Sequence, residues 1–217
     1  FALEKLLVQD MLLHTNIRFE HAAQTLTSLI QTHLKHGGDE AILIAATKVL
    51  ASIVRVESLE VMVPGSLQLL ITMLLHHNTS IRNICVTAIA AFSSGNEKVI
   101  STLVNSNVLF MFCTILGKNH ELPGSIRGDI YMTVFNIISS DPGVIVAVMQ
   151  SNLILQIIND LKYSDNNDVI VEAACVLCNI VKKGSDEHTT MLVDRYHCLP
   201  LLCKTLTNAV NIENNFV

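Results

Sequence analysis

Four turn residues recur at a nearly constant spacing along this chain, and each of them separates two apolar segments. They are Gly65, Asn107, Asn152 and His197, and successive members are 42, 45 and 45 residues apart. A fixed period of this size is the sequence signature of stacked helical repeats. Because such stacks present extended surfaces, the period favours a long binding surface over a catalytic pocket.

The identity of the turn residues has a conformational explanation. A sharp reversal between two helices usually needs one residue with positive φ. Glycine adopts that conformation without strain, and asparagine tolerates it better than most residues. Gly65, Asn107 and Asn152 fit this rule, and His197 fits it less well. We therefore predict a left-handed turn at all four positions.

Apolar residues recur at helical spacing along most of the chain, and strand signals are almost absent. The predicted fold is therefore all-α and built from three-helix repeats. Because another helix is due where the sequence stops, we expect the chain to be part of a longer protein. The predicted units are an irregular one at 1–56, repeats at about 57–95, 96–140 and 141–185, and a partial repeat at 186–217.

Apolar periodicity and turn residues together predict the individual helices. Four of them are expected to begin at N-cap residues, namely Asp39, Thr79 (or Ser80), Asp141 and Asp168. The predicted helices cover 1–14, 16–35, 40–56, 58–63, 66–77, 80–93, 97–105, 108–117, 125–139, 143–150, 153–162, 168–183, 187–195 and 199–207.

Charge and hydropathy argue against two classes of partner. The net charge is −5 and the basic residues are scattered singly, so no basic stripe is present to neutralise nucleic-acid phosphates. No uninterrupted apolar run reaches the roughly 18–20 residues that a membrane span needs, since Lys48 interrupts the best candidate. We therefore expect neither a nucleic-acid partner nor a membrane span.

Six cysteines occur in this long helical chain, which is unlike a small disulfide-rich secreted domain. We expect reduced thiols and a location in the cytoplasm, the nucleus or both. Cys175, Cys178, Cys198 and Cys203 leave zinc as an alternative, because four thiolates complete a tetrahedral site. Burial of these cysteines in helices is the favoured interpretation, since free cysteine is commonly a core residue.

Motifs of catalysis are missing from the sequence. It contains no G-x-S-x-G nucleophile motif, no phosphate-binding glycine loop and no H-E-x-x-H zinc motif. The glycines are instead placed between helices, as turn residues are. We therefore predict a protein that is not an enzyme and needs no cofactor or metal.

Two predicted third helices share a motif in which an acidic residue is followed by an asparagine seven residues later. The motif resembles Glu-Ala-x-Trp-x-x-x-Asn of the armadillo-repeat family, and within that family the nearest resemblance is to importin-α. The two copies are 43 residues apart, and their members are Asp129, Met132 and Asn136 in the first and Glu172, Cys175 and Asn179 in the second.

The resemblance implies a right-handed superhelical armadillo solenoid whose third helices line a concave groove. In importin-α, groove tryptophans clamp the aliphatic stems of a basic localisation signal, and the asparagines bind its backbone. Here Met132 and Cys175 stand at the tryptophan positions, and the chain contains no tryptophan. In the preceding unit the corresponding positions are Asn83, Val86 and Ala90.

Residue chemistry supports the same hypothesis. Positions i, i+3 and i+7 lie on one face of a helix. An asparagine amide offers both a donor and an acceptor to a peptide unit, and neighbouring carboxylates favour lysine or arginine. The alternative is that the asparagines bridge helices within the stack. The predicted partner-binding residues are Asn136, Asn179, Asp129, Glu172, Met132, Cys175 and Asn83.

The predicted function is therefore that of a scaffold which binds a segment of another protein, extended and basic in the favoured case. A nuclear transport adaptor similar to importin-α is the sharper form of this hypothesis. The alternative from another class is a structural spacer or self-association module with no peptide-binding groove.

Overall fold

The computed structural model describes residues 19–56, 65–94, 97–118 and 122–214. Throughout these residues the regular structure is helical and no strand occurs, which confirms the all-α prediction. The chain divides into two compact units, Phe1–Val99 and Ile100–Val217. The arrangement of all repeats in a single solenoid stays a prediction, and the helices predicted at 1–14 and 58–63 lie outside the described residues.

The first unit is organised around its second described helix, which packs against the first and the fourth. Ile30, Leu50 and Ile81 are fully buried in its core. A buried hydrogen bond of 2.9 Å joins the hydroxyls of Thr27 and Ser66. The helices of this unit are α1 (Phe19–His36), α2 (Glu40–Val56), α3 (Ser66–Thr72) and α4 (Thr79–Ser93).

In the second unit, two helices of 17 residues each lie side by side and form its largest helix pair. Its helices are α5 (Glu97–Asn105, which begins in the first unit), α6 (Val108–Lys118), α7 (Gly124–Ser140), α8 (Ile145–Gln150), α9 (Asn152–Tyr163), α10 (Asn167–Lys183), α11 (Asp186–Thr190) and α12 (Cys198–Asn214). The large pair is α7 and α10, and its apolar core includes Ile130, Val134, Val176 and Leu177.

Short non-α turns extend three of the helices. A 3-10 turn at Met73–Leu75 follows α3, and another at Pro142–Val144 precedes α8. A π-helical turn at Met191–Arg195 follows α11, and it is closed by a 3.1 Å hydrogen bond from the Tyr196 amide to the Met191 carbonyl. The helix predicted at 187–195 is therefore present but changes its hydrogen-bond pattern halfway.

Three of the four predicted left-handed turns are confirmed. Gly65, Asn107 and His197 have φ values of 97°, 56° and 51°. The prediction for Asn152 is wrong, since this residue is the first residue of α9 and has no positive φ.

Ser151 makes the reversal before α9 instead. It is extended, with φ −91° and ψ 166°, and its hydroxyl accepts a hydrogen bond of 3.2 Å from the Leu153 amide. The same hydroxyl lies 2.9 Å from the Val148 carbonyl, to which it donates. A serine that caps both ends of the break removes the need for a left-handed residue.

Two of the predicted N-caps are confirmed, because the side chain of Asp39 accepts from the Ala41 amide at 2.8 Å and that of Asp141 accepts from Gly143 at 3.0 Å. The prediction is wrong for Thr79 or Ser80 and for Asp168. Asn78 caps α4 and Asn166 caps α10, each through its side-chain oxygen. Both asparagines are extended, which is the conformation that an N-cap requires.

Within the described ranges no single helix is long and apolar enough to cross a bilayer. Two bent pairs reach the required length and composition together, namely Glu97–Asn105 with Val108–Gly117 and Gly124–Ser140 with Pro142–Gln150.

We predict that Asn107→Ala and Asn152→Ala have different effects, although the two asparagines follow the same Ser-Asn pattern. Asn107→Ala should lower the free energy of unfolding by about 1–2 kcal/mol, because an alanine at positive φ is strained. Asn152→Ala should change it by less than about 0.5 kcal/mol, since the residue is exposed and helical. Urea unfolding followed by circular dichroism measures both, with Asn107→Gly as the unstrained control. Equal losses would contradict the assignment of the two turns.

Candidate functional site

The two matched motifs of the sequence lie next to each other, because α7 packs along α10. A Cβ atom at Gly128 would lie 3.9 Å from Cγ of Glu172. The Glu172 side chain therefore packs over α7 at the position of this glycine. Asp129, which follows Gly128 in the chain, is close enough to Glu172 to raise the pKa of that carboxyl. The two acidic residues of the motifs therefore lie near each other across the α7–α10 pair.

Asn179 lies deeper than a groove residue should. Its side chain is 5% exposed, and its amide nitrogen donates to the Phe135 carbonyl at 2.9 Å and to the Ser139 hydroxyl at 2.8 Å. Both amide hydrogens are thus used to hold α10 against α7. Of the two interpretations open for the asparagines, the contacts of Asn179 favour the bridge between helices.

Three carboxylates carry the electrostatics of this region. The pKa of Glu172 is raised, first by partial burial and then by repulsion from Asp129 and from Asp168. Asp168 is exposed in the first turn of α10, one turn before Glu172. Asp168 was predicted only as an N-cap, although its i, i+4 spacing to Glu172 is visible in the sequence.

The middle positions of the two motifs hold soft apolar side chains. Met132 and Cys175 are both half-buried, as is Asn136. The pKa of the Cys175 thiol is raised by burial, by the charge of Glu172 and by Cys178. Cys175 is therefore a protonated, weakly polar side chain at neutral pH.

Asn83, the remaining predicted partner-binding residue, lies on α4 in the first unit and is half-buried. The other six residues all belong to α7 and α10 in the second unit. The structure thus brings six of the seven together on two helices.

The four cysteines of the zinc alternative do not form a cluster. Among the described residues, no group of three or more histidine, cysteine, aspartate or glutamate side chains is arranged to hold a metal ion. Cys198 is buried and its pKa is raised to about 11, whereas Cys178 and Cys203 are exposed. The expected burial is therefore confirmed for Cys198 and wrong for Cys178 and Cys203. Burial disfavours the thiolate of Cys198, and the thiolate is the form that binds metal.

A part-buried polar network links α7 to α9, and its charged pair was not predicted from the sequence. The Arg127 guanidinium donates to both carboxylate oxygens of Asp160 on α9, at 3.0 and 2.9 Å, and the Tyr131 hydroxyl donates to the same carboxylate. The side chains of Arg127 and Asp160 are only 15% and 14% exposed. The i, i+4 spacing of Arg127 and Tyr131 places them on one helix face, but the pattern did not indicate Asp160 as their partner.

A cleft of about 600 Å³ lies beside this network. Its wall includes Arg127 and Asp160, together with Gln156, Asn159 and Tyr163. Arg127 and Asp160 neutralise each other. Together they therefore give the cleft no net charge that would favour an ionic ligand. The network is therefore explained by its role in holding α7 and α9 together.

Comparison with known proteins adds information on the fold. No protein-family model matches the chain, and no curated protein is similar to it. Similar solved structures include two engineered proteins determined by the Northeast Structural Genomics Consortium. One is 18% identical, with a TM-score of 0.56 over 94% of this chain and 95% of the other. The second is 19% identical, with a TM-score of 0.60 over 88% of this chain and 50% of the other. At these identities the likeness concerns the all-helical fold alone.

We predict that Asp160→Ala is strongly destabilising. The substitution leaves the largely buried guanidinium of Arg127 without its carboxylate, which should cost about 3–5 kcal/mol in the free energy of unfolding. The double substitution Arg127→Met/Asp160→Leu should recover part of that loss, because it removes both charges but leaves the buried Tyr131 hydroxyl without its acceptor. Urea unfolding of the wild type, the single variant and the double variant checks this; a double variant no more stable than Asp160→Ala would contradict it.

We also predict that Glu172→Gln changes how stability depends on pH. The raised pKa means that the folded protein holds the Glu172 proton more tightly than the unfolded chain does. Stability therefore falls as pH rises from the ordinary glutamic acid range through the raised pKa, and the loss persists above it. Glu172→Gln should lack this fall and be more stable at neutral pH by about 0.2–0.5 kcal/mol, the usual cost of a like-charged pair on a helix.

Urea unfolding between about pH 4 and pH 7 tests the Glu172 prediction, because a free glutamic acid titrates at the lower end of this range. Glu187→Gln is the matched control, since Glu187 is an exposed acid on α11. An identical pH profile for wild type and Glu172→Gln would show that repulsion at this position has no effect on folding.

Proposed function

We propose that this chain is a non-enzymatic interaction module of the armadillo type, which binds a basic extended segment of another protein along the face shared by α7 and α10. The observation that carries the proposal is the placement of Glu172 beside Asp129 and Asp168. The charges of Asp129 and Asp168 disfavour the ionised form of Glu172, and a bound cation relieves that repulsion. The face is therefore suited to lysine or arginine side chains.

The middle positions supply the apolar part of the proposed contact. Met132 and Cys175 are half-buried beside the carboxylates, where the aliphatic stem of a lysine or arginine can lie. Methionine is unbranched and polarizable, so it adapts to side chains of several shapes. This proposed face has adaptable side chains where importin-α has rigid tryptophans. We therefore expect it to discriminate less strictly among the sequences of its peptide partners.

The role of the asparagines differs from the one that the family resemblance implies. Asn179 has both amide hydrogens engaged with α7, so capture of the peptide backbone is not its role in this proposal. Asn136 is less buried and stays a candidate for contact with the partner. Selection then depends mainly on Asp129 and Glu172, that is, on charge.

The sharper version of the proposal is an adaptor similar to importin-α that operates in the cytoplasm and the nucleus. It requires that the α7–α10 face bind basic localisation segments with methionine and cysteine in place of tryptophan. The alternative from another class is a structural spacer, and the internal hydrogen bonds of Asn179 are what favours it. Binding of a basic peptide separates the two.

We predict that a fluorescein-labelled peptide rich in lysine and arginine binds the wild-type chain and that Asp129→Asn/Glu172→Gln weakens its binding. The expected loss is about 2- to 30-fold, because two solvent-accessible ion pairs contribute about 0.2–1 kcal/mol each. Fluorescence anisotropy measures the dissociation constants, and added salt should reduce the difference between the two proteins.

The matched control is Glu187→Gln/Asp194→Asn, which removes the same net charge from exposed positions outside α7 and α10. Equal weakening by the two double variants would mean that only total charge matters and would remove the proposed face. Absence of peptide binding to the wild type would favour the structural spacer. Charge variants are better suited to this test than Asn179→Ala, since the latter also disturbs the contact between α7 and α10.

A further inference from the structure

We propose that the turn between α3 and α4 is sensitive to pH: a hydrogen bond to the neutral ring of His76 orders it, and protonation of that ring loosens it. The turn, named here the histidine turn, consists of His76, His77 and Asn78. It follows the 3-10 turn that ends at Leu75 and precedes Thr79, the first residue of α4. It combines a titratable ring, a helix cap and a contact to α2.

One hydrogen bond within the histidine turn determines the protonation state of His76. The backbone nitrogen of Asn78 lies 3.1 Å from Nδ1 of His76. A backbone N–H can only donate, so Nδ1 accepts and carries a lone pair. The proton of the neutral ring is therefore on Nε2. When Nδ1 is protonated, the acceptor becomes a second donor and the hydrogen bond is lost.

Asn78 connects this hydrogen bond to two helices. Its side-chain oxygen accepts from the amides of Ser80 and Ile81 at 2.9 and 3.4 Å, which caps α4. Its side-chain nitrogen donates to a carboxylate oxygen of Glu40, the first residue of α2, at 2.8 Å. Both contacts depend on the backbone position of Asn78. Loss of the His76 acceptor therefore weakens the cap of α4 and the link to α2 together.

Charged groups on three elements act on the His76 ring. The pKa of His76 is lowered, first by partial burial and then by the charge of His77; Arg82 on α4 lowers it further, and Glu40 on α2 opposes this change. Within the described ranges these are the titratable or charged groups that act on the ring. The folded protein therefore binds this proton less tightly than the unfolded chain does. The stabilisation by the histidine turn is present above the ordinary histidine pKa of about 6.5 and is lost as the pH falls through the lowered pKa.

The other contacts of the histidine turn do not need a neutral ring. Nε2 of His77 lies 2.5 Å from Oε1 of Glu40, and the carboxylate accepts from Nε2–H in either protonation state of that ring. Arg82 donates to the backbone carbonyls of His76 and His77 at 2.8 and 2.9 Å. Acid therefore acts on the Asn78 end of the turn, while the two carbonyls stay bound to α4.

NMR of the ¹⁵N-labelled chain tests the proposal. Long-range ¹H–¹⁵N spectra at about pH 7.5 should show His76 with its proton on Nε2 and a lone pair on Nδ1, as a neutral ring must. Hydrogen exchange of the Asn78 amide should be compared with that of an unstructured peptide of the same sequence, because the intrinsic exchange rate also changes with pH. This protection should fall about 2- to 12-fold between about pH 7.5 and pH 5, the effect of one lost hydrogen bond. Glu40 stays ionised in this range, since hydrogen bonds from Asn78 and His77 lower its pKa.

Three variants separate the contributions of the two histidines. His76→Asn supplies an acceptor that does not titrate, because an asparagine oxygen commonly accepts from the amide two residues later. In this variant the Asn78 amide should keep its protection at both pH values. His76→Ala should show the lower protection at both, since it has no acceptor. His77→Gln should retain the fall seen in the wild type.

Four results would overturn the proposal. They are a proton on Nδ1 of His76 at neutral pH, protection of the Asn78 amide that does not change with pH in the wild type, an equal fall in His76→Asn, and loss of the fall in His77→Gln. The last result would make His77 the titrating group. Circular dichroism at both pH values verifies that each variant is folded, and His76→Asn tests the proposal even where His76→Ala does not fold.

Discussion

Two hydrogen bonds from the Asn179 side-chain amide determine how α10 is aligned with α7 in the second unit. They join a side chain on one helix to a backbone carbonyl and a hydroxyl on its neighbour, at 2.9 and 2.8 Å. A buried donor that loses its acceptors costs about 1–3 kcal/mol, so the pairing specifies how α10 lies along α7. The positions of Glu172 and Cys175 relative to Asp129 and Met132 follow from that alignment. The geometry of the proposed binding face thus depends on the hydrogen bonds of Asn179, which do not themselves contact a partner.

Helix positions were predictable to within a few residues, as the match of 108–117 to Val108–Lys118 illustrates. Such positions follow from the spacing of apolar residues, since burial of one face decides where a helix runs. Turn and cap assignments were less reliable, because several polar residues near each helix end compete for the same amides. Ser151 and Asn152 both suit a turn. In the structure the Ser151 hydroxyl caps α9, and Asn152 is helical and not left-handed.

For the candidate site, register placed the right residues on adjacent helices but did not reveal their depth. Asn136 and Asn179 hold the same position in their motifs, yet the first is half-buried and the second is 5% exposed. The difference arises from the elements on either side of each helix, which a single motif does not encode. For the same reason the ion pair of Arg127 with Asp160 was not visible, since its partners come from different repeats. Periodicity identifies positions that the predicted repeats have in common. The burial of Asn179 and the Arg127–Asp160 ion pair depend on residues that differ between them.

The network of Arg127, Tyr131 and Asp160 also restricts how this chain can evolve. It joins α7 to α9, and in the predicted repeat arrangement these helices belong to successive repeats, each of which then contains half of a charge pair. A gene duplication that inserted a copy of one repeat between them would bury a guanidinium or a carboxylate with no counterion. In the predicted repeat arrangement this pair therefore opposes insertion of a repeat at that junction, and expansion there would first require the loss of the pair.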